Sequence, residues 1–214
     1  MTRNATHRKP QPLTYLIGLA LVLIVAYNSV YFRKLDEVRA GAAKTGKFDA
    51  ASYAKTFWTK KLLPAAQDSA TNLSTLLPLL KTDKEKAFTT YSQALGIGNI
   101  RYFLVKGEGT ITSVGDNTIS VSLPTGETVN LATEYIFGNA ARDASGLIKI
   151  TEFDNTADLN SVSEALNDII RNKVIPPLKS TAKTGQKLTF VGAVELNQAH
   201  LHLADIEIIP ISVN

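Results

Sequence analysis

The clearest strand pattern in the chain is RYFLVKGEGTITSVGDNTISVSLPTGETVNL, residues 101–131. Apolar and polar residues alternate along much of it, which is typical of strands that bury one face. Gly107 and Gly109 interrupt the first strand without the strand-to-helix context of a phosphate loop, so they indicate a bend or bulge. A Pro-Thr-Gly turn at 124–126 separates the two shorter strands that follow. The stretch therefore predicts a three-stranded β-meander.

One amphipathic helix and two more strands follow this meander. The helix carries a single apolar stripe, and the prolines Pro176 and Pro177 are predicted to end it. The stripe consists of Leu159, Val162, Leu166, Ile169, Ile170 and Val174. Alternation predicts closing strands at 187–196 and 200–213, and a shorter extra strand at 147–153. Three strands, a helix and two strands is the order of an OB-like antiparallel barrel, while the extra strand leaves Greek-key and other α+β folds open.

A small helical layer is predicted before the barrel, over residues 48–97. Asp49 is a plausible N-cap for a first helix, and Asp83 for a third that stops at Gly96. A leucine-rich second helix lies between them, and Pro78 should end or kink it. The predicted fold class is therefore α+β, with this layer preceding a barrel at 98–214 that has a helix inserted between its strands.

The N-terminal region contains the twenty residues LTYLIGLALVLIVAYNSVYF, 13–32, without a charge. A helix of this length spans about 30 Å, the thickness of the hydrocarbon core of a bilayer. Arg3, Arg8 and Lys9 precede it without any acid, which favours a cytoplasmic tail. The pattern predicts a single-pass, uncleaved signal anchor in the inner membrane, with the C-terminal domain in the periplasm.

The same segment allows two alternatives to the anchor. A cleaved signal peptide needs small residues at its cleavage site, where Tyr27, Asn28, Val30 and Tyr31 stand instead. A buried core helix is rarely free of charge for so long. The predicted organisation is a cytoplasmic tail at 1–12, the anchor, a stalk at 33–47 and an extracytoplasmic domain at 48–214.

Composition restricts the chemistry of this domain. The 214 residues include no cysteine, which excludes disulfides, thiolate zinc sites and a lipid-modified cysteine within this sequence. The net charge is +4, but beyond residue 32 there are 20 cations against 19 anions and no evident basic patch. Nucleic acid is therefore not an expected partner. The sequence shows no motif for a cofactor, so none is expected.

The segment GNAARDASGLIKITEFDNTADLNSVSEALN, residues 138–167, resembles the predicted periplasmic lipoproteins of the domain of unknown function family 2291. FDAASYAKTFWTKKLLP and VKGEGTI are also similar, so the resemblance covers 48–192. The chain differs at Thr133 and Glu134, where Gly-Pro is expected, and at Asn155 and Thr156, where Asn-Gln is usual. Members usually carry a lipid-attachment cysteine, so here a transmembrane helix would replace the acyl chain. The resemblance implies no activity, but it suggests proximity to ABC-type sugar importers.

Candidate ligand-binding residues are few. Arg142 and Asp143 lie in a glycine-bounded loop, where a guanidinium could hold a carboxylate or sugar hydroxyls. The structural interpretation is favoured: the pair fixes a turn, with Asp143 accepting backbone N–H groups and Arg142 binding a carboxylate such as Glu152 or Asp154. Asp154 and Asn155 precede the amphipathic helix and are predicted mainly to cap it.

Other chemically interesting residues have weaker patterns. Trp58 could stack on a sugar, although a lone Trp in a helix is more often core. His200 and His202 would share one face of a strand, but no third metal ligand is evident, so no metal site is predicted. No nucleophile motif is present, and no catalytic residue is assigned.

Two hypotheses for the function follow. The favoured one is a non-catalytic binding or scaffolding module, held to the membrane by one helix and accessory to ABC-type sugar uptake. Its expected partners are envelope or ABC-transporter proteins and a saccharide. The alternative is an envelope enzyme that acts on a saccharide through Asp143 and Asp154. Opposed carboxylates in one cleft would favour the enzyme, and a buried, partnered Asp143 would favour the scaffold.

Overall fold

The computed structural model describes residues 12–29 and 48–214. The chain divides into two units between Phe48 and Asp49, and each is considered by itself. Helix α1, Pro12–Ser29, is the described element of the first unit, and its apolar side chains from Tyr15 to Val25 are exposed. None of the helices in the described ranges combines the length and the apolarity that a membrane span requires. The predicted tail up to residue 11 and the predicted stalk lie outside these ranges.

The second unit begins with helices, as predicted. In chain order, these helices and two short strands are α2 (Ala50–Phe57), α3 (Leu63–Asp68), β1 (Thr71–Asn72), α4 (Leu73–Thr82), α5 (Lys84–Tyr91) and β2 (Ser92–Gln93). Asp49 caps α2 by accepting from the Ser52 N–H, and Asp83 caps α5 by accepting from the Lys86 N–H, each at 3.0 Å. Both predicted N-caps are therefore confirmed.

Five longer strands form the barrel. They are β3 (Ile100–Val114), β4 (Thr118–Ser122), β5 (Thr128–Ala132), β6 (Lys187–Asn197) and β7 (Glu207–Val213). Between β5 and β6 lie α6 (Ala140–Asp143), α7 (Thr156–Ile169) and α8 (Ile175–Thr181). The predicted order of meander, helix and closing pair of strands is confirmed.

The barrel closes because β3 pairs with strands on both of its sides. Its first part runs antiparallel to β6 from Ile100↔Asn197, and its end runs antiparallel to β4 from Thr110↔Ser122. β5 continues the sheet from β4 and runs parallel to β7, with Asn130 opposite Glu207, and β7 returns to β6. This closed order, β3-β4-β5-β7-β6-β3, is the five-stranded OB arrangement, so the predicted OB-like barrel is confirmed.

Glycines allow neighbouring strands to approach closely. A Cβ on Gly109 would lie 2.4 Å from the Ser122 carbonyl oxygen, and one on Gly192 would lie 2.4 Å from Ile208 Cγ2. Any larger residue would force the strands apart at these two positions. The pairing register also shifts between Val191 and Gly192, as expected of a bulge at a barrel bend.

The core fills the barrel and the space beneath α4 and α5. Phe88 of α5 meets Phe103 of β3 edge-on, with ring centroids 5.1 Å apart. The largest fully buried side chains include Leu73, Leu76, Phe103, Ile111, Ile119, Leu131 and Ile208. The helical layer is therefore part of one hydrophobic core with the barrel.

The predicted helix end at Pro176 and Pro177 is wrong, and of the two outcomes predicted for Pro78, a helix end or a kink, the structure excludes the end. Pro176 and Pro177 open α8 instead of ending the helix, and Pro78 lies inside α4. A single π turn, Ile170–Val174, precedes the proline pair, and another, Trp58–Leu62, precedes Pro64. A wider turn relieves the contact between a proline ring and the carbonyl four residues earlier, so the chain stays helical.

Other boundaries also differ from the predictions. Residues 147–153 form no strand, because the Glu152 carboxylate accepts from the Lys149 N–H and closes a 3₁₀ turn at Ile150–Glu152. The last strand begins at Glu207, and 200–206 is a loop. The predicted third helix of the layer is α5, and it ends at Tyr91 and not at Gly96. Ser92 and Gln93 leave the helix because they pair with β3.

Candidate functional site

The strongest polar interaction in the predicted site joins two adjacent residues. Arg142 Nε donates to Asp143 Oδ1 at 2.5 Å, and a second guanidinium nitrogen donates to Asp143 Oδ2 at 2.9 Å. Both residues are 4% exposed. A third donor of Arg142 reaches the Leu159 carbonyl oxygen at 3.3 Å. The ion pair is therefore bidentate and buried, the geometry in which guanidinium and carboxylate satisfy each other best.

The neighbouring loop is held by one face of the inserted helix. Residues 159, 163, 167 and 171 are four apart, so they lie along one stripe that runs through α7 and the π turn. Residue 159 contacts Arg142, and 163 contacts Asn139. Residue 167 contacts Gly138, and 171 contacts Ile136. We call this set of contacts the polar ladder. It fixes the loop 136–142 antiparallel to the helix.

Each rung of the polar ladder uses a different donor. The Ser163 hydroxyl donates to Asn139 Oδ1 at 3.0 Å, and the Asn167 side-chain amide donates to the Gly138 carbonyl at 3.0 Å. Arg171 donates to the Ile136 carbonyl and also pairs with Glu164 and Asp168. Because Ser163 and Asn167 are buried, their polar groups depend on these partners.

Tyr102 of β3 adjoins the ion pair. Burial raises the pKa of its hydroxyl, and the negative charges of Glu195 and Asp143 raise it further. A hydrogen bond with the Asn139 side chain and the Arg142 charge act in the opposite direction. The ladder is thus joined electrostatically to the barrel wall, and Tyr102 stays protonated over the physiological pH range.

The carboxylates predicted to bind Arg142 are engaged elsewhere or exposed. Glu152 accepts from the Tyr53 hydroxyl at 2.9 Å and from the Lys149 N–H, whereas Asp154 is exposed. The prediction of Glu152 or Asp154 as the partner of Arg142 is therefore wrong, and the carboxylate of Asp143 accepts from this guanidinium where backbone N–H donors were predicted. The sequence neighbour Asp143 is closer, because the short helix α6 turns both side chains towards the interior.

The remaining candidates have structural placements. Asn155 accepts from the Asp158 N–H at 2.9 Å and so caps α7, while Trp58 is 7% exposed and belongs to the core. His200 and His202 are exposed on the β6–β7 loop, so the prediction that they share a strand face is wrong. Within the described ranges, no three His, Asp or Glu residues are grouped as metal ligands.

A second feature of the site was missed from the sequence. Tyr135 and Phe137 are 58% and 66% exposed, while Ile136 between them is buried. They border a groove of about 360 Å³ that also touches Glu195, Asp205 and Glu207. We call it the aromatic groove. The sequence Tyr135-Ile136-Phe137 looks like an ordinary apolar run. The feature that could have predicted the groove is the alternation that turns both rings outward.

Comparisons with known proteins agree with the fold. The model of a family described as "Predicted periplasmic lipoprotein (DUF2291)" matches residues 20–214. A crystal structure of an OB-fold protein from Thermotoga maritima superposes with a TM-score of 0.71 at 24% identity, covering 78% of this chain and 98% of that one. No curated protein matches the chain. The structural likeness concerns the fold alone.

Proposed function

Because the chain belongs to this family of predicted periplasmic lipoproteins, DUF2291, we propose that it is a membrane-anchored, non-catalytic binding or scaffolding module of the periplasm, accessory to ABC-type sugar uptake. The family description supports the extracytoplasmic location. The uptake role is an inference from the resemblance of the 138–167 segment to proteins associated with such importers. Its expected partners are the transporter subunits and a saccharide.

The non-catalytic proposal rests on the burial of Asp143 and its pairing with Arg142. Its carboxylate is buried and accepts two hydrogen bonds from Arg142, so both charged groups are already compensated. A side chain held in this way supports the loop and is not available to a substrate. The family-like residues Gly138, Asn139 and Asn167 are likewise occupied in the polar ladder.

The alternative, an envelope enzyme acting on a saccharide, requires two carboxylates that face one substrate. Asp154 is exposed on the approach to α7, whereas Asp143 is enclosed by its guanidinium partner. A general acid or nucleophile needs a free carboxyl oxygen within reach of the scissile bond. The geometry therefore favours the binding module over this enzyme.

The proposed anchor rests on the N-terminal segment. The charge-free residues 13–32 follow a tail with three cations and no acid, and the side chains that α1 exposes are apolar. This sequence offers no cysteine for a lipid, so the helix would take the place that an acyl chain has in lipoproteins. An alkaline phosphatase fused after Asn214 should then be active, and a mature chain that begins between residues 28 and 46 would exclude the uncleaved anchor.

The uptake role is best tested by crosslinking in intact cells followed by purification of the full chain from membranes. A photo-crosslinking residue in place of Phe137 should capture subunits of a sugar ABC transporter, because this exposed ring borders a groove. The matched control is the same residue at the exposed Glu85 on α5, which should capture less. Crosslinks only to unrelated proteins, or equally strong capture from both positions, would refute the proposal.

A further inference from the structure

We propose that the aromatic groove binds a small organic cation, an ammonium or guanidinium group, between two aromatic rings and three carboxylates. This inference does not depend on the proposed uptake role. It rests on the composition of the groove: Tyr135 and Phe137 supply aromatic faces, and Glu195, Asp205 and Glu207 supply negative charge. Aromatic faces attract cations through their quadrupoles, most strongly where carboxylates balance the charge.

Charge complementarity selects the ligand class. In the part of the chain that the structure describes, the groove has no Lys or Arg in its lining, His202 is its one basic side chain, and its three carboxylates form no ion pair. An anion would be repelled by this lining, and a neutral sugar could donate hydrogen bonds to the three carboxylates but would gain no net charge attraction from them. An organic cation satisfies both the charges and the aromatic rings.

The two rings are held in place by the polar ladder. Arg171 binds the Ile136 carbonyl between them, and Asn167 binds the Gly138 carbonyl one residue beyond Phe137. Burial of the Ile136 side chain turns its two neighbours to the opposite side, towards solvent. An exposed aromatic pair on a fixed backbone lowers the entropy that is lost when a ligand is bound.

The acidic residues of the lining come from the barrel. Glu195 lies on β6, Glu207 begins β7, and Asp205 lies on the loop that joins them. Asp205 has φ of 59°, the left-handed conformation that Asp adopts readily in turns. A volume of about 360 Å³ lies within the range of about 300 to 1,000 Å³ that is typical of small-molecule sites.

The test is a calorimetric titration of the full chain in a neutral polyoxyethylene detergent, which introduces no sugar. Choline and agmatine present quaternary ammonium and guanidinium groups, and 3,3-dimethyl-1-butanol is the neutral carbon isostere of choline. We expect saturable binding of at least one cation, weakened by added salt, and no binding of the isostere. Binding of the isostere as strongly as choline, or no binding of either cation, would overturn the proposal.

Variants locate the site. Because their side chains are exposed, Phe137→Ala and Glu207→Gln should fold normally, and each should weaken cation binding about two- to five-fold. The matched controls Ile150→Ala and Glu85→Gln alter an exposed apolar residue and an exposed carboxylate outside the groove lining, and should bind as the parent does. Unchanged affinity in both groove variants would place the cation elsewhere and contradict the inference.

Discussion

The guanidinium of Arg142 donates two hydrogen bonds to the carboxylate of Asp143, its neighbour in the sequence, and both side chains are buried. This pair begins the polar ladder, in which one stripe of the inserted helix holds the loop 136–142 against the barrel. The residues of the family-like segment 138–167 whose side chains or carbonyls make the ladder contacts are Gly138, Asn139, Arg142, Leu159, Ser163 and Asn167. Each contributes a contact to the fold, and together they set the position of the exposed aromatic pair.

Asn167→Ala should destabilise the domain by about 1 to 3 kcal/mol, because the Gly138 carbonyl would lose its donor and a small cavity would remain where the buried Asn167 side chain was. Chemical denaturation followed by circular dichroism measures this change. Asn160→Ala is the matched control, since Asn160 is exposed on the same helix and should change stability little. Equal effects from the two substitutions would show that the ladder contact contributes nothing specific.

Gly192→Ala should destabilise the barrel by about 1 to 3 kcal/mol, because the new Cβ would lie 2.4 Å from Ile208 Cγ2 and 2.7 Å from the Ile209 carbonyl oxygen. Thermal unfolding provides the readout. Gly96→Ala serves as the control, since nothing lies within 4 Å of its Cβ position. A Gly192→Ala variant as stable as its parent would contradict the close approach of β6 and β7.

The pKa of Glu127 should be lowered to about 2, because Lys81 and then Thr125 donate hydrogen bonds to its charged form. A carboxyl group with a lowered pKa stabilises the fold above its ordinary value of 4.5, and this contribution is lost as the pH falls from 4.5 towards 2. The effect should stay below about 1 kcal/mol, because Lys81 is half exposed.

Carboxyl-carbon NMR titration of Glu127 tests this assignment, and Lys81→Met should raise its pKa by removing the principal donor. Urea denaturation at pH 7 and pH 3 should show a smaller difference in the variant than in the parent. A parent Glu127 that titrates near 4.5 would show that the salt bridge between α4 and the β4–β5 turn does not form in solution.

The barrel could be predicted from sequence because its strands alternate and its turns carry Pro and Gly. The helix caps Asp49, Asp83 and Asn155 could also be predicted, since each has a short polar side chain just before the periodic apolar residues of a helix. The strand predicted at 147–153 is wrong because Ile148 is buried and Ile150 is exposed, and no strand in the described ranges pairs with this segment. Periodicity reports which face is buried, but not whether a neighbouring strand exists.

The site was less predictable because its geometry is non-local. Nothing in the sequence indicates that Ser163 and Asn167 face Asn139 and Gly138, which are 24 and 29 residues away. Arg142 was expected to reach a distant carboxylate, but α6 brings its neighbour closer. Pro176 and Pro177 were expected to stop the helix, and a π turn instead carries it past them.

The stability of Asp143→Ala tests the central claim most directly. If the pair supports the fold, this substitution leaves the Arg142 charge buried without its partner, and the free energy of unfolding should fall by about 3 to 5 kcal/mol. The double variant Arg142→Met, Asp143→Leu removes both charges and should recover most of that loss. An unchanged melting temperature of Asp143→Ala, combined with abolished partner or sugar capture, would contradict the account and make this loop the binding site.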